Sequence, residues 1–174
     1  MTERMLEDIC NILPRSKRNT RYGVSEGKYP FFKGSAMVDS FVDTPDYDGE
    51  SIIIGDGGTP NVNYADAFSA SDNCYIFQNK NKSVLNLKYA YYYLANNLDI
   101  MGDLYKGANG DIKHISKSSI KGIKIPVPSL EKQNEIVEYC ENIASSITQL
   151  QADIQEKREQ MSHYIRNEYI RDTI

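Results

Sequence analysis

Two histidines, His114 and His163, and three cysteines, Cys10, Cys74 and Cys140, are the whole supply of neutral-pH bases and thiols in these 174 residues. A hydrolytic triad needs a base beside a nucleophile and a third group to orient it. His163 falls in a long run free of Gly and Pro, and His114 stands alone in a lysine-rich stretch. A lone His114 suits a phosphate or base contact, or a structural hydrogen bond; the enzymatic alternative is a phosphodiesterase working through it. The cysteines are odd in number, far apart and never spaced C-x-x-C, which argues against a disulfide framework and a zinc knuckle. Gly55-Asp56-Gly57-Gly58 lacks the spacing and the lysine of a phosphate loop and does not open a helix, so it reads as a turn needing positive φ. Asp46-Tyr47-Asp48-Gly49 imitates a calcium loop, but Thr44 and Gly55 occupy the first and twelfth ligand places. Asp46 and Glu50 imitate a nuclease metal pair, yet Ile52 stands where its lysine belongs. No metal site and no catalytic set are expected. An Asn-Pro-Pro-Tyr motif and a glycine-rich cofactor loop are also missing, so no methyl donor is expected on this chain.

The charge pattern points elsewhere. The net charge of −4 counts against a nucleic-acid partner, but it hides a block structure. Residues 1–33 carry seven Lys/Arg and four acids; 34–79 carry eight acids and no Lys or Arg; 80–129 carry eight Lys and three acids; 130–174 carry five basic and nine acidic residues. Two acid-free runs stand out: Arg15, Lys17, Arg18 and Arg21, then Lys113, Lys117, Lys121 and Lys124. Phosphate contact needs such local density, and a fold could bring both runs to one face. A solvated charged surface is the plainer alternative.

Forty per cent apolar and 25% charged residues describe an ordinary folded chain of one domain with an appendage. No run of eighteen apolar residues could span a membrane, and MTERMLEDIC is not a signal peptide, so a cytoplasmic protein is expected. Leu6, Ile9, Ile12 and Leu13 predict a helix over 3–13, capped by Thr2 and ended by Pro14. Strands are predicted at Tyr29–Phe32, Met37–Val42, Ser51–Ile54 and Cys74–Gln78. A second helix is predicted over 86–98, capped by Asn86, with Leu87, Tyr91, Leu94 and Leu98 inward; Tyr91, Tyr92 and Tyr93 read as packing residues rather than base-stacking ones. Gly107–Gly110 reads as a turn and Ile123–Pro128 as an edge strand.

At Ser129 the chain changes character. No Gly or Pro follows, Ser129 can cap a helix, and Glu131 suits its positive end. Ile136, Cys140, Ile143, Ile147, Leu150, Ile154, Met161 and Tyr164 recur at heptad intervals, with Lys157 interrupting. The spacing predicts a helix of about 60 Å whose apolar seam a second helix must cover. This chain holds no second helix of that length, so the partner is expected on another chain. The division expected is 1–128 for a compact domain and 129–174 for a spacer and dimerisation helix.

Five segments, taken in order, resemble the DNA-specificity (S) subunit of type I restriction–modification systems. They are Leu13-Pro14-Arg15-Ser16-Lys17-Arg18, Gly27-Lys28-Tyr29-Pro30-Phe31-Phe32, Ile53-Ile54-Gly55-Asp56-Gly57-Gly58, Asn61-Val62-Asn63-Tyr64, and the run from Ile112 through Ile136. The last is the most specific: HISKSSIKGIKIPVPSLEKQNEIV joins a basic Ser/Lys stretch, an I-x-I-P-x-P strand, and Gln133 with Ile136 opening the long helix.

The resemblance implies an α/β (α+β) target recognition domain with a twisted mixed sheet, followed by a long coiled-coil helix. It implies double-stranded DNA and a methyltransferase subunit as partners, with a restriction subunit joining for cleavage. S-adenosylmethionine would sit on the methyltransferase and no cofactor on this chain. Typical members carry two such domains and two helices, so this chain looks like a half subunit. Its helices would pair antiparallel in a homodimer through Ile136, Cys140, Ile143, Ile147, Leu150, Ile154 and Met161, and would read a bipartite palindromic site. Arg15, Lys17, Arg18, Arg21, Lys113 and Lys117 are the expected phosphate contacts, with His114 beside them. Lys33, Ser35, Asn61, Asn63, Tyr105, Lys106 and Asn109 are the expected base readers, and Gly57 and Gly58 would let backbone approach DNA. The alternative is a non-catalytic assembly adaptor with a degenerate reading domain, which would bind the methyltransferase but no specific DNA.

Overall fold

A computed structural model describes residues 2–107 and 112–171, with side chains through Asn167. The elements are β1 (Thr2–Met5), α1 (Leu6–Ile9), β2 (Cys10–Ile12), β3 (Tyr29–Phe32), β4 (Phe41–Val42), β5 (Tyr47–Gly55), β6 (Val62–Ala70), β7 (Cys74–Asn79), α2 (Leu87–Ala95), α3 (Asp99–Gly102), β8 (Tyr105–Lys106), β9 (His114–Ile115), α4 (Lys117–Lys121), β10 (Lys124–Val127) and α5 (Leu130–Arg171). The chain divides into two units, Met1–Glu135 and Ile136–Ile174, so the first six residues of α5 belong to the first unit.

The first unit is built on a six-stranded sheet ordered β2-β7-β5-β6-β3-β4. All pairs are antiparallel except β3 with β6. Strand β5 is central because Ile52, Ile53 and Ile54 are β-branched and buried on both faces. The sheet must coil. Strands β6 and β7 both run antiparallel to β5, with Phe68 opposite Tyr47 but Cys74 opposite Gly55. Retracing that length along a flat sheet would take about 25 Å. Yet Ser71, Asp72 and Asn73 alone join the two strands, and they span about 13 Å at most. An irregularity in β5 between Asp48 and Ser51 provides the bend. Coiling carries the end of β3 to the start of β7: Phe32 O accepts from Ser71 N at 2.8 Å and from Cys74 Sγ at 3.4 Å. Phe32, Ile53, Phe68, Ala70, Cys74 and Ile76 fill the inside of the curl. Burial pushes the thiols of Cys10 and Cys74 up to about 12, which leaves them as inert packing groups.

Several sequence expectations change here. The helix over 3–13 is one turn, Leu6–Ile9, because its flanks pair as strands: Thr2–Met5 with β10, and Cys10–Ile12 with β7. Met37–Val42 is strand only at Phe41 and Val42. Strand β6 has no counterpart among the strands that the sequence predicts. In α2, Asn86 caps as expected by accepting from Lys88 N, but the helix ends at Ala95 and Leu98 is exposed. Tyr89 and Ala90 take inward places instead, and Tyr91 packs beside Tyr64 with ring centroids 5.6 Å apart. The turn expected at Gly107–Gly110 lies largely outside the described residues.

The root of α5 is fixed by one buried amide. Ser129 Oγ accepts from Lys132 N, and Gln133 is fully buried. Gln133 Oε1 accepts from Asn86 N at 2.8 Å, and Nε2 donates to the carbonyls of Val84 and Pro128, both at 2.9 Å. Replacing Gln133 by Leu deprives one N–H and two carbonyls of their partner in a part-buried clasp. Urea denaturation is expected to show a loss of about 2–4 kcal/mol; a loss under half a kcal/mol would refute the clasp.

In the second unit the apolar positions of α5 stay uncovered from Ile143 onward, whereas Ile136 and Cys140 are partly buried. Ile143, Ile147, Leu150, Ile154 and Met161 are each about half exposed, and an apolar groove of about 340 Å³ runs between Leu150, Ile154 and Met161. Among the described residues no helix is long and apolar enough to cross a membrane, and no group of three His, Cys, Asp or Glu could hold a metal ion.

Candidate nucleic-acid interface

The loop after β2 runs beside the sheet because Leu13 N donates to Ile76 O and Arg18 O accepts from Asp72 N. Its arginines do not float. Arg15 Nη2 pairs with Asp56 Oδ2, and its guanidinium lies 4.6 Å from the Tyr75 ring centre. Arg18 grips both oxygens of Asp46, with Nη2 to Oδ1 at 2.6 Å, and stacks 3.6 Å from the Tyr22 ring centre. That guanidinium holds the Asp46 carboxyl below the usual carboxylate range. The depressed value means the tie stabilises the loop at neutral pH and is lost as pH falls through it. Lys17, between them, is exposed and makes no ion pair with a described residue, and Arg21 is also exposed. An open groove of about 650 Å³ is lined by Leu13 through Arg18 with Asp46 and Tyr47.

The second basic segment meets the first at the β5 turn. Ile115 N donates to Asp56 O at 2.8 Å, Gly58 N donates to Lys113 O at 2.9 Å, and Gly57 bridges His114. His114 Nδ1 stands 3.7 Å from Asp56 Oδ1. Asp56 thus joins the two basic runs. Gly58 has the positive φ expected, +81°. Gly57, expected to admit a close approach to DNA, instead seats the His114 ring: a Cβ there would lie 2.7 Å from it.

Beside this turn rises the loop between β3 and β4. Gly34 turns at φ +93°. Asn61 Nδ2 donates to Gly34 O at 2.8 Å, Asn63 Nδ2 to Ser35 O at 3.2 Å, and Ser35 Oγ to Met37 O at 3.0 Å. Lys33 pairs with Asp39 across the loop base at 2.6 Å. The braced tip presents Met37 with 72% of its surface exposed.

The expected base readers therefore divide. Lys33, Ser35, Asn63 and Lys106 border the face, Lys33 and Asn63 half-buried and the other two exposed. Asn61 and Tyr105 do not: they are 4% and 3% exposed. Asn61 is spent on the loop backbone, and Tyr105 donates its hydroxyl to Gly55 O, with burial pushing the phenol up to about 12. Both are buried clamps, not surface groups. Asn109 lies outside the described residues. Lys117 is exposed at the start of α4, which Ser116 caps. The residues that sequence reasoning missed are the counter-ions and platforms: Asp56, Asp46, Tyr22 and Tyr75. Glu50 is taken up by Tyr64 at 2.6 Å, which lowers its carboxyl, and Lys82 lies 3.5 Å away.

A family model for the type I restriction modification DNA specificity domain matches residues 1–160. The chain belongs to that family. Specificity domains are the non-catalytic element of such systems. A protein of Haemophilus influenzae named as a type I restriction enzyme specificity subunit is 24% identical over 147 residues, covering 80% of this chain and 36% of its own length. The crystal structure of a type I restriction–modification S subunit from M. genitalium superposes with a TM-score of 0.77 at 22% identity, over 91% of this specificity domain and 42% of that chain. The HsdS subunit from Thermoanaerobacter tengcongensis gives 0.56 at 18% identity, over 84% and 38%. These likenesses establish the fold of the specificity domain. It spans about two fifths of the length of the relatives it matches.

Proposed function

We propose that the specificity domain reads DNA sequence for a type I restriction–modification system without performing chemistry itself. The observation that supports this best is the joining of the two basic runs at Asp56, beside the braced Gly34–Asp39 loop. Lys17, Arg21, Lys113 and Lys117 contact phosphates and set register, while Ser35, Asn63 and Lys106 reach base edges. Two copies pair antiparallel through α5 and present their readers to a bipartite palindromic site. A methyltransferase subunit carrying S-adenosylmethionine modifies the bound DNA, and a restriction subunit joins for cleavage. The whole works in the cytoplasm.

Lys17→Glu tests the phosphate face most cleanly, since Lys17 has no ion pair to lose among the described residues. Affinity for every duplex is expected to fall on the order of tenfold, and the salt slope to decrease by about one. An unchanged slope in gel shifts at several salt concentrations would show the basic loop to be decoration. Co-expression with a cognate methyltransferase subunit, followed by mapping of methylated adenines, would reveal a two-part motif. Capture of the methyltransferase with no duplex binding would favour the assembly adaptor instead.

A further inference from the structure

We propose that Asp56 is a shared positioning carboxylate which Arg15 and His114 occupy in turn: Arg15 leaves it for a DNA phosphate, and cationic His114 replaces it. The inference rests on the DNA-reading function proposed above.

In the free protein Asp56 is half served. Oδ2 accepts from Arg15, while Oδ1 is buried with no hydrogen-bond partner among the described residues. A buried acceptor left without a donor costs free energy. His114 Nδ1, at 3.7 Å, is too far to bond but needs a shift of under about 1 Å to do so. The imidazole is held there by its surroundings. Its backbone is tied to the β5 turn on both sides, and its ring rests on Gly57. The ring is 59% exposed, so solvent protons reach it, and the Arg15 side chain is 36% exposed, so a phosphate can reach that guanidinium.

Charged groups surround His114: Arg15 lies on the far oxygen of Asp56, Lys106 across the β8–β9 pair and Lys113 beside it in sequence, while Asp56 Oδ1 faces its Nδ1. Tyr75 and Tyr105 contribute neutral hydroxyls, donated to Ile115 O and Gly55 O. Departure of Arg15 toward a phosphate removes one opposing cation and leaves Asp56 unpaired. One proton from solvent then enters the ring, and Nδ1–H donates to Oδ1. Binding that takes up a proton strengthens as pH falls.

Fluorescence anisotropy of the full chain with a mixed-sequence duplex, at fixed ionic strength from about pH 6 to about pH 8, tests the exchange. Wild-type affinity is expected to weaken roughly tenfold over that range. His114→Gln should flatten the profile to within about twofold, and Asp56→Asn should do the same. His163→Gln, altering the chain's other histidine, should keep the wild-type slope. A flat wild-type profile, or an unchanged slope in His114→Gln, overturns the proposal while leaving DNA reading intact. Failure of the wild type to bind any duplex overturns both.

Discussion

Light scattering of the Ile147→Asp, Leu150→Asp double variant is expected to return the 19.8 kDa mass of one chain, against twice that for the wild type. The reason lies in the uncovered seam of α5. Ile143, Ile147, Leu150, Ile154 and Met161 keep about half of their surface in water in the single chain. Burying the rest against a second helix gains about 1 kcal/mol per side chain. Two aspartates per chain place four carboxylates at the centre of an antiparallel pair, where each charge costs several kcal/mol to desolvate without a counter-ion. No rearrangement of a heptad seam accommodates that loss. The variant should also lose the advantage of linked readers, on the order of a hundredfold or more in affinity for a two-part site, while keeping weak binding to one half. A dimer that survives both substitutions would move the interface off this helix.

Gly55→Ala should destabilise the folded domain by about 3 kcal/mol or more, whereas Gly58→Ala should cost about 1 kcal/mol. The two glycines share a turn and differ in kind. A Cβ on Gly55 would sit 2.1 Å from Gly34 O and 2.7 Å from Asn61 Nδ2, and both are fixed because they bond to each other. Backbone must move, and the loop carrying Ser35 and Met37 moves with it. A Cβ on Gly58 meets nothing within 4 Å and suffers only from φ +81°. Chemical denaturation of both variants reads the difference directly. Equal losses would mean that the close approach of β5 to the Gly34 loop does not hold the face together.

Period and branching made some elements readable from residues alone. The α5 seam repeats at helical intervals that any helix must display on one side, so its length and its apolar stripe were legible. Strands β5 and β7 were legible as runs of Ile, Tyr and Phe. Strand β6 was not, because Ala65, Ala67 and Ser69 are small and weakly patterned. It is extended because β5 and β3 pair with it on either side. The opposite error arose over 3–13, where Leu6, Ile9, Ile12 and Leu13 fit a helical face but β10 and β7 claim the backbone.

For the candidate site, the sequence by itself determined that two acid-free basic runs exist and that residues 34–79 hold acids alone. Tertiary structure decided what those acids do. Asp39, Asp46 and Asp56 are counter-ions to Lys33, Arg18 and Arg15. Two of those pairs bridge 28 and 41 residues of chain. Such partners follow from how a coiled sheet returns distant strand ends to one place, and a Coulomb interaction depends on that distance, not on separation along the chain. The same geometry withdrew Asn61 and Tyr105 into the interior, since composition can nominate a polar side chain but only packing fixes whether water or DNA can reach it.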